Sequence, residues 1–258
     1  MLNYQNVIGY NFVNSTMDEF VDHSVERINS NKKTVIVTAN PEIITFANKN
    51  AWYEEVLRSA DYIIPDGVGI VMASKLFKTP LKERLTGFDF MEELLNVSNK
   101  QKYSIYLLGT KPNVIDLTAQ NIKERFPDIE IAGYHHGYFE AGGEDEKAIL
   151  DKIRTEKPDI VLVGLGFPKQ EKWIYDNIHQ FDKGMFIGLG GCFNIWAGVT
   201  KRAPRLWRDL HLEWAYRIIK EPIRIKRALA IPVFIVKIFS KLTKKNIYKI
   251  KNNQNKNF

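Results

Sequence analysis

Short apolar runs rich in β-branched residues alternate with helix-length segments along most of the 258-residue chain. Continuous apolar runs of strand length are typical of parallel strands that are covered on both faces. Strands that alternate with helices favour an α/β architecture over an all-β or all-α one. We therefore predict a mostly parallel sheet with helices on both faces. The predicted strands are Thr34–Thr38, Asp61–Ile64, Ser104–Leu108, Glu130–Gly133, Ile160–Val163 and Met185–Leu189.

The segments between these strands have the length and spacing of amphipathic helices, and the pattern changes from Ala203 onward to helices without strands. Neither an internal repeat nor a linker-like segment interrupts residues 1–195. The predicted helices are Met17–Asn29, Ala51–Ser59, Gly69–Phe77, Asp89–Ser98, Asn113–Phe126, Glu144–Thr155 and Pro168–Ile178.

Positive charge is concentrated at the end of the chain. Residues 201–258 contain 16 Lys and Arg against 3 Asp and Glu, whereas residues 1–200 contain 21 against 27. Apolar residues recur every four positions in the basic segment, at Leu206, Leu210, Trp214 and Ile218. Basic residues that flank an apolar stripe are typical of a helix at a membrane surface. The alternatives are a stripe that packs on the body beneath a solvated basic face, and a nucleic-acid arm, which is less favoured because the basic excess is confined to this segment.

This distribution predicts a division into a body of the size of a catalytic domain (1–200), a basic amphipathic helical appendage (201–245) and a disordered tail (246–258). The longest apolar stretch, Ala228–Phe239, is shorter than the roughly 20 residues of a spanning helix and is interrupted by Pro232 and Lys237. No basic segment followed by an apolar run opens the chain, and Cys192 is the single cysteine, which excludes an internal disulfide. We therefore expect a cytosolic body, with a membrane surface as the favoured contact of the appendage.

One carboxylate follows a predicted strand at a position suited to chemistry. In an open α/β sheet, ligands bind beyond the carboxyl ends of the strands. Asp66 comes directly after the strand Asp61–Ile64, between Pro65 and Gly67. An Asp-Gly pair after a strand is more often only a turn, so Asp66 alone is a candidate rather than an assignment.

Glycine-rich segments follow the last two predicted strands and suggest a phosphate-bearing ligand. They are GLGFPKQEKW from Gly164 and GLGGCFN from Gly188. Glycines allow a close approach of the backbone, and a helix that begins at Pro168 would direct N–H groups at an anion. Such turns also occur in many α/β proteins without this role.

Several motifs are missing from the sequence, and their absence excludes some classes of phosphate chemistry. The chain has no G-x(4)-G-K-[ST] motif, which argues against a P-loop NTPase. No two aspartates are separated by one residue, which argues against a divalent cation held by an Asp-x-Asp motif. His135 and His136 are adjacent, and on a strand we expect them to point to opposite faces, where they could not easily share a metal. We therefore expect no metal and no other cofactor, with backbone dipoles and arginines stabilising a leaving phosphate instead.

The order of seven motifs resembles the WecG/TagA/CpsF family of bacterial glycosyltransferases, and the resemblance covers residues 4–240. The motifs are T-A-N-P-E-I (38–43), P-D-G-x-G-I (65–70), L-x-G-F-D-F (85–90), Y-L-L-G (106–109), H-H-G-Y-F (135–139), G-x-G-x-P-K-Q-E-x-W (164–173), and K-R-A-P (201–204) followed by L-E-W-x-Y-R-x-I-K-E-P (212–222).

The resemblance implies a Rossmann-like, inverting, metal-independent transferase. It would move N-acetylmannosamine from a UDP-sugar donor to an N-acetylglucosaminyl diphosphate polyprenol acceptor on the cytoplasmic face of the membrane, as in teichoic acid synthesis. The resemblance thus implies a cytoplasmic protein that is peripherally attached to the inner face of the cell membrane. Asp66 would be the general base, with Thr38 and Asn40 in the same pocket. Residues implied at the donor and its diphosphate are Gly109, Tyr138, Gly164, Gly166, Gln170, Gly190 and Asn194. Arg217, Arg224 and Arg227 would bind the phosphates of donor and acceptor.

One departure from the family pattern concerns the nucleotide. The family commonly has an F-D pair where this chain has Phe193-Asn194. Asn194 can accept a hydrogen bond but carries no charge. The sequence leaves open the donor sugar (N-acetylmannosamine, its uronic acid or glucose) and the oligomeric state, a homo-oligomer included. It also leaves open a non-catalytic UDP-binding module. An NAD-dependent oxidoreductase is disfavoured because no G-x-G-x-x-G opens the first βα turn.

Overall fold

The structure is a computed structural model that describes residues 2–220, 232–236, 238 and 240. Its centre is a six-stranded sheet in which every strand pair is parallel, in the order β4-β3-β8-β7-β5-β6. This confirms the predicted α/β fold with its mostly parallel sheet. The strands are β3 (Thr34–Ala39), β4 (Tyr62–Pro65), β5 (Ser104–Gly109), β6 (Glu130–His135), β7 (Ile160–Gly164) and β8 (Met185–Gly188), preceded by the separate β1 (Tyr4–Val7) and β2 (Tyr10–Val13).

Helices cover both faces of the sheet. One face is packed by α1, α5, α6 and α9, and the other by α2, α3, α4, α7 and α8. Their bounds are α1 (Met17–Asn29), α2 (Pro41–Ala47), α3 (Ala51–Ser59), α4 (Val68–Leu76), α5 (Gly87–Gln101), α6 (Pro112–Arg125), α7 (Glu144–Glu156), α8 (Lys169–Asn177) and α9 (Cys192–Trp196), followed by α10 (Arg205–Asp209) and α11 (Glu213–Lys220).

The antiparallel hairpin β1–β2 was not predicted. Its two-residue loop, Ile8 and Gly9, has both φ angles positive, at 56° and 91°. This geometry matches the twist of a hairpin and normally selects Asn-Gly or Gly-Gly, so the Ile-Gly pair gives little sequence signal. The hairpin buries Tyr10 and Phe12 in the same apolar cluster as α2, α3 and α4. It therefore closes the core beside β4.

The basic appendage begins with two short helices rather than one. The four-residue apolar spacing predicts a continuous stripe, but α10 ends at Asp209 and α11 begins at Glu213. His211, with a φ of 59°, lies in the turn between them and interrupts the helix. Leu206, Leu210 and Trp214 are exposed, so most of the stripe does not pack on the body.

A later part of the appendage packs on the body through one buried side of its helix. Residues 232–236 are helical, and Phe234, at 1% exposure, joins the cluster formed by the hairpin, α2, α3 and α4. A Cβ placed on Gly69 of α4 would lie 3.8 Å from the Phe234 ring. Phe234 therefore packs within a few residues of Asp66.

We expect Phe234→Ala to lower the free energy of unfolding by about 3 kcal/mol, because it removes a fully buried aromatic ring. Val236→Ala is the control, since Val236 is 68% exposed on the same helical stretch. Urea denaturation of both variants measures the difference. Equal stability of the two variants would contradict the docking of this segment.

Candidate active site

Asp66 lies at the carboxyl end of β4, where the first turn of α5 holds its side chain. Its backbone N–H donates to the carbonyl of Ala39 at 3.0 Å, which joins the ends of β3 and β4. Its Oδ1 accepts a hydrogen bond from the N–H of Gly87 at 3.0 Å. Gly87 is the first residue of α5, and a helix N-terminus favours negative charge. The carboxylate is therefore oriented without losing its second oxygen to this bond.

Burial raises the pKa of Asp66 above the usual aspartate range. The Gly87 N–H and the charges of Arg217 and Arg84 oppose this shift, while Glu213 adds to it. A carboxyl group whose pKa is raised by burial, with the rise limited by nearby cations, is suited to accept a proton near neutral pH.

Thr38 and Asn40 lie at the end of the neighbouring strand, beside Asp66. The Thr38 hydroxyl donates to the carbonyl of Gly188 at 2.9 Å, and its methyl group would lie 3.1 Å from a Cβ on Gly87. Asn40 caps α2 by accepting from the N–H of Ile43 at 3.1 Å. A Cβ on Gly67 would lie 3.0 Å from the Asn40 Cβ, so glycine is required for this approach. Both side chains are fixed around the carboxylate.

Helix α11 of the appendage places Arg217 close to Asp66. The Arg217 guanidinium forms an ion pair with Glu213 at 2.7 Å, and its charge lowers the pKa of both Asp66 and Cys192. Arg84 lowers the pKa of Asp66 in the same way. Two cations therefore act on one carboxylate, which is the arrangement expected where negative charge develops.

The start of the appendage is tied to the helix that holds Asp66. Arg202 forms an ion pair with Asp89 at 2.5 Å, and its guanidinium lies 4.3 Å from the centroid of the Phe88 ring. Asp89 also accepts from the cap residue of α5, Thr86. A displacement of Arg202 would therefore disturb the first turn of α5.

The four candidate glycines fall into two kinds. Gly109 and Gly164 allow close packing, since a Cβ on Gly109 would lie 2.4 Å from the Gly164 backbone and one on Gly164 would lie 2.6 Å from the Phe193 ring. Gly166 and Gly190 have positive φ angles, and a Cβ on either would meet open space. Only the second pair leaves room beside the backbone for a ligand.

Asn194 and Tyr138 lie near the carboxyl ends of β5 and β6. Asn194 Oδ1 accepts from the Thr110 hydroxyl at 2.9 Å, which joins α9 to the loop after β5. The Gly137 N–H donates to the Thr110 carbonyl at 2.8 Å and brings the Tyr138 loop to the same edge. Tyr138 is 65% exposed, so its ring is available to a planar ligand.

Gln170 is buried at 3% exposure, and its amide is engaged inside the protein. Its Oε1 accepts from the Gly190 N–H at 2.8 Å, and its Nε2 donates to Glu171 at 2.7 Å. Helix α8 begins at Lys169 rather than at Pro168, and the Gln170 N–H donates to the Gly166 carbonyl. Gln170 therefore joins the loops after β7 and β8.

The two adjacent histidines are closer than expected. Strand β6 ends at His135, so His136 already belongs to the loop, and the ring centroids are 4.3 Å apart. The expectation of opposite faces is therefore wrong. In the part of the chain that the structure describes, no group of three or more His, Cys, Asp or Glu could hold a metal ion.

The structure brings Asp66, Thr38, Asn40 and Arg217 together, and it places the donor candidates along the same edge of the sheet. Arg224 and Arg227, like the predicted tail, lie outside the described residues. Sequence reasoning missed Arg84, Thr110 and Glu171. Arg84 directly precedes the L-x-G-F-D-F motif, and Glu171 is part of the P-K-Q-E motif, so both could have been found there.

A parallel sheet with a carboxylate and two open glycine turns at its carboxyl edge is the arrangement in which α/β proteins bind ligands. The chain belongs to the glycosyl transferase family WecG/TagA/CpsF, whose sequence model matches residues 5–247.

Three curated relatives share the name N-acetylglucosaminyldiphosphoundecaprenol N-acetyl-beta-D-mannosaminyltransferase. The relative from Bacillus spizizenii W23 is 42% identical over 228 residues, which cover 88% of this chain and 87% of the relative. That from Bacillus subtilis 168 is 40% identical over 238 residues (92% and 91%). That from Staphylococcus aureus MW2 is 38% identical over 235 residues (90% and 91%).

Proposed function

We propose that this glycosyltransferase moves N-acetylmannosamine from UDP-N-acetylmannosamine to N-acetylglucosaminyl-diphospho-undecaprenol, with inversion, to form a β-1,4 linkage in teichoic acid or a related surface glycan. The observation that carries the proposal is the Asp66 carboxylate, held by the Gly87 N–H under the charge of Arg217. The relatives named for this reaction, which align over nine-tenths of the chain, supply the substrates.

Asp66 acts as the general base in this reaction. The acceptor hydroxyl oxygen attacks the anomeric carbon of the donor, the bond from that carbon to the diphosphate oxygen breaks, and the hydroxyl proton passes to Asp66. Because attack and departure occur on opposite faces, the configuration inverts. General-base assistance of this kind is worth roughly 10²–10⁴-fold. Thr38 and Asn40 fix the surroundings of the carboxylate.

Arginines stabilise the leaving UDP. Arg217 and Arg84 carry the positive charge that acts on the site, and Arg224 and Arg227 are proposed to add to it from the appendage. A guanidinium binds phosphate oxygens in a fixed planar geometry, which suits a diphosphate that gains charge as the bond breaks. These groups perform the role that a divalent cation performs in other nucleotide-sugar enzymes.

The donor is proposed to lie along the edge formed by β5, β6, β7 and β8. Gly166 and Gly190 leave open space for the diphosphate, and Gln170 holds the Gly190 backbone in place. Gly109 and Gly164 let the loops beneath approach each other. The exposed Tyr138 ring stacks on the base, and Asn194 contributes through the loop that it fixes with Thr110.

The appendage (201–245) is proposed to act as both active-site lid and membrane contact for the body (1–200), and the tail (246–258) lies outside the described residues. Leu206, Leu210, Trp214 and Ile219 are exposed beside basic residues, which is the composition of a surface that lies at a lipid interface. In the described residues, no helix is both long and apolar enough to cross a bilayer. The exposed apolar and basic residues of the appendage support our proposal of peripheral attachment to the inner face of the cytoplasmic membrane.

Mass analysis of a short-chain N-acetylglucosaminyl-diphospho-lipid, incubated with the full-length protein and a panel of UDP-sugars, tests the proposal. The acceptor should gain one N-acetylhexosamine with UDP-N-acetylmannosamine and nothing with UDP-glucose. Addition from the uronic acid or from glucose would assign another donor, and no addition with any donor would contradict the catalytic proposal.

A further inference from the structure

A buried carboxylate lies behind the donor edge and has no role in the proposed chemistry. Glu171 of α8 is 2% exposed. Its Oε1 accepts from Gln170 Nε2 at 2.7 Å, while its Oε2 has no hydrogen-bond partner. Burial of a carboxyl oxygen without a partner costs free energy, and an apolar residue could fill this position of the fold. The presence of a glutamate here therefore calls for an explanation.

The hydrogen bonds lead from Glu171 to the donor loop. Glu171 holds the Gln170 amide from one side, and the amide then accepts from the Gly190 N–H at 2.8 Å on the other. A Cβ on Gly188 would lie 2.7 Å from Gln170 Nε2 and 3.1 Å from Glu171 Oε1, so both side chains press against the end of β8. The Gly188 carbonyl in turn accepts from the Thr38 hydroxyl beside Asp66. Two hydrogen bonds therefore link Glu171 to Gly190, and packing against Gly188 brings the same side chains next to the residue that binds Thr38.

The bond to Glu171 fixes which way the Gln170 amide faces. A glutamine amide has a donor end and an acceptor end, and only the acceptor end can receive the Gly190 N–H. Because Glu171 Oε1 accepts from the donor end, it selects this orientation. An apolar residue at position 171 would leave the amide free to turn, and the Gly190 N–H would lose its partner.

We propose that Glu171 is a positioning residue that sets the Gln170 amide and thereby holds the Gly188–Gly190 loop in the conformation that receives the donor diphosphate. It touches neither substrate, and it acts only through Gln170. The proposal rests on the proposed function for the identity of the ligand. Its structural part, the order of the loop, stands apart from that identity.

The titratable groups around Glu171 are Tyr53 of α3 and Glu42 of α2, and the neutral amide of Gln170 lies beside it on its own helix. Burial raises the pKa of Glu171 to about 7, the hydrogen bond from Gln170 and the nearby Tyr53 hydroxyl lower it, and the charge of Glu42 raises it. Because the folded pKa exceeds the ordinary value of 4.5, stability is full below pH 4.5 and falls as the pH rises to about 7. A glutamine at position 171 would keep an acceptor oxygen but would not titrate in this pH range.

Three variants of the full-length protein separate positioning from general stability. Glu171→Gln keeps the acceptor for the Gln170 amide, and Glu171→Leu removes it at similar size. Asn177→Leu is the matched control, because Asn177 is a buried polar residue at the other end of α8 whose Nδ2 donates to the Trp173 carbonyl. Amide hydrogen exchange at residues 188–192 and the donor KM and kcat are measured for each.

We expect Glu171→Leu to speed exchange at Gly190 by about tenfold and to raise the donor KM by a similar factor, with kcat changed much less, since one hydrogen bond is lost. Glu171→Gln should match the wild type in the exchange rate at Gly190 and in the donor KM. Its stability relative to the wild type should increase between pH 4.5 and about 7. Asn177→Leu should lose stability without a change at Gly190.

Wild-type exchange and KM in Glu171→Leu, or an equal effect in Asn177→Leu, would overturn the positioning role. If Glu171→Leu does not fold, Glu171→Met is measured in its place, and failure of both to fold would show a purely structural residue and also overturn it. A wild-type protein that is inactive with every donor would contradict the proposed function instead, while the exchange at Gly190 would still decide the role of Glu171.

Discussion

Asp66→Asn is expected to lower kcat by roughly 10²–10⁴-fold, the range that general-base assistance contributes. The amide has nearly the shape of the carboxylate, and its oxygen can still accept from the Gly87 N–H, so the first turn of α5 keeps its partner. What is lost is the ability to take up the acceptor proton. The fold and the affinity for UDP should therefore change little, which titration calorimetry with UDP measures alongside the rate.

Asp61→Asn is the matched control for this substitution. Asp61 directly precedes the same strand at its opposite end and also accepts from a backbone N–H, that of Val35 at 2.8 Å. It is remote from the carboxyl edge of the sheet, so its variant should keep the wild-type rate. An Asp66→Asn protein that kept more than about a tenth of that rate would show that Asp66 is not the base.

Arg217→Gln is expected to lower turnover by about 10²-fold, comparable with the loss of one preorganised donor to developing negative charge. It should also move the acid limb of the kcat/KM profile to higher pH. The base must be ionised, burial already raises the pKa of Asp66, and the Arg217 charge opposes that rise. Removal of the charge, with the buried Glu213 left unpaired, raises the pKa further. Activity is then lost earlier as the pH falls.

Arg205→Gln is the control, because Arg205 is an exposed arginine of the same appendage that pairs only loosely with Asp209 at 3.6 Å. Rate measurements from pH 5 to 9 on vesicles that carry the acceptor compare the two variants. An unchanged acid limb in Arg217→Gln would contradict its electrostatic contact with Asp66. A deletion of the appendage is a poorer test, since Ala203, Phe234 and Ile238 are buried and their loss would expose the core.

The sequence was sufficient for the parallel sheet but not for every element around it. Apolar strands such as Ile160–Gly164 have a strong local signal because both faces are buried. The hairpin has no such signal, since its Ile8-Gly9 loop replaces the usual turn residues. Nor does the four-residue spacing from Leu206 to Ile218 reveal the break at His211, because a turn with a positive φ is compatible with a continuous apolar pattern.

In the candidate site, too, some features could be predicted from the sequence and others could not. Asp66 could be predicted because a carboxylate after a strand must lie at the carboxyl edge. The different tasks of Gly109 and Gly166 could not, because only the three-dimensional contacts distinguish a glycine that packs from one that faces open space. The role of Glu171 could not be predicted for a similar reason, since its burial and its hydrogen bond to Gln170 depend on how α8 packs against β8.

The anomeric configuration of the product tests the central claim most directly. The one-bond carbon–proton coupling at the new anomeric carbon, measured by NMR on product made by the wild-type protein from UDP-N-acetylmannosamine, distinguishes the α from the β linkage. A single displacement with Asp66 as base requires inversion and predicts the β linkage. A product with the retained α configuration would contradict the account, because retention requires two displacements or a mechanism without this base.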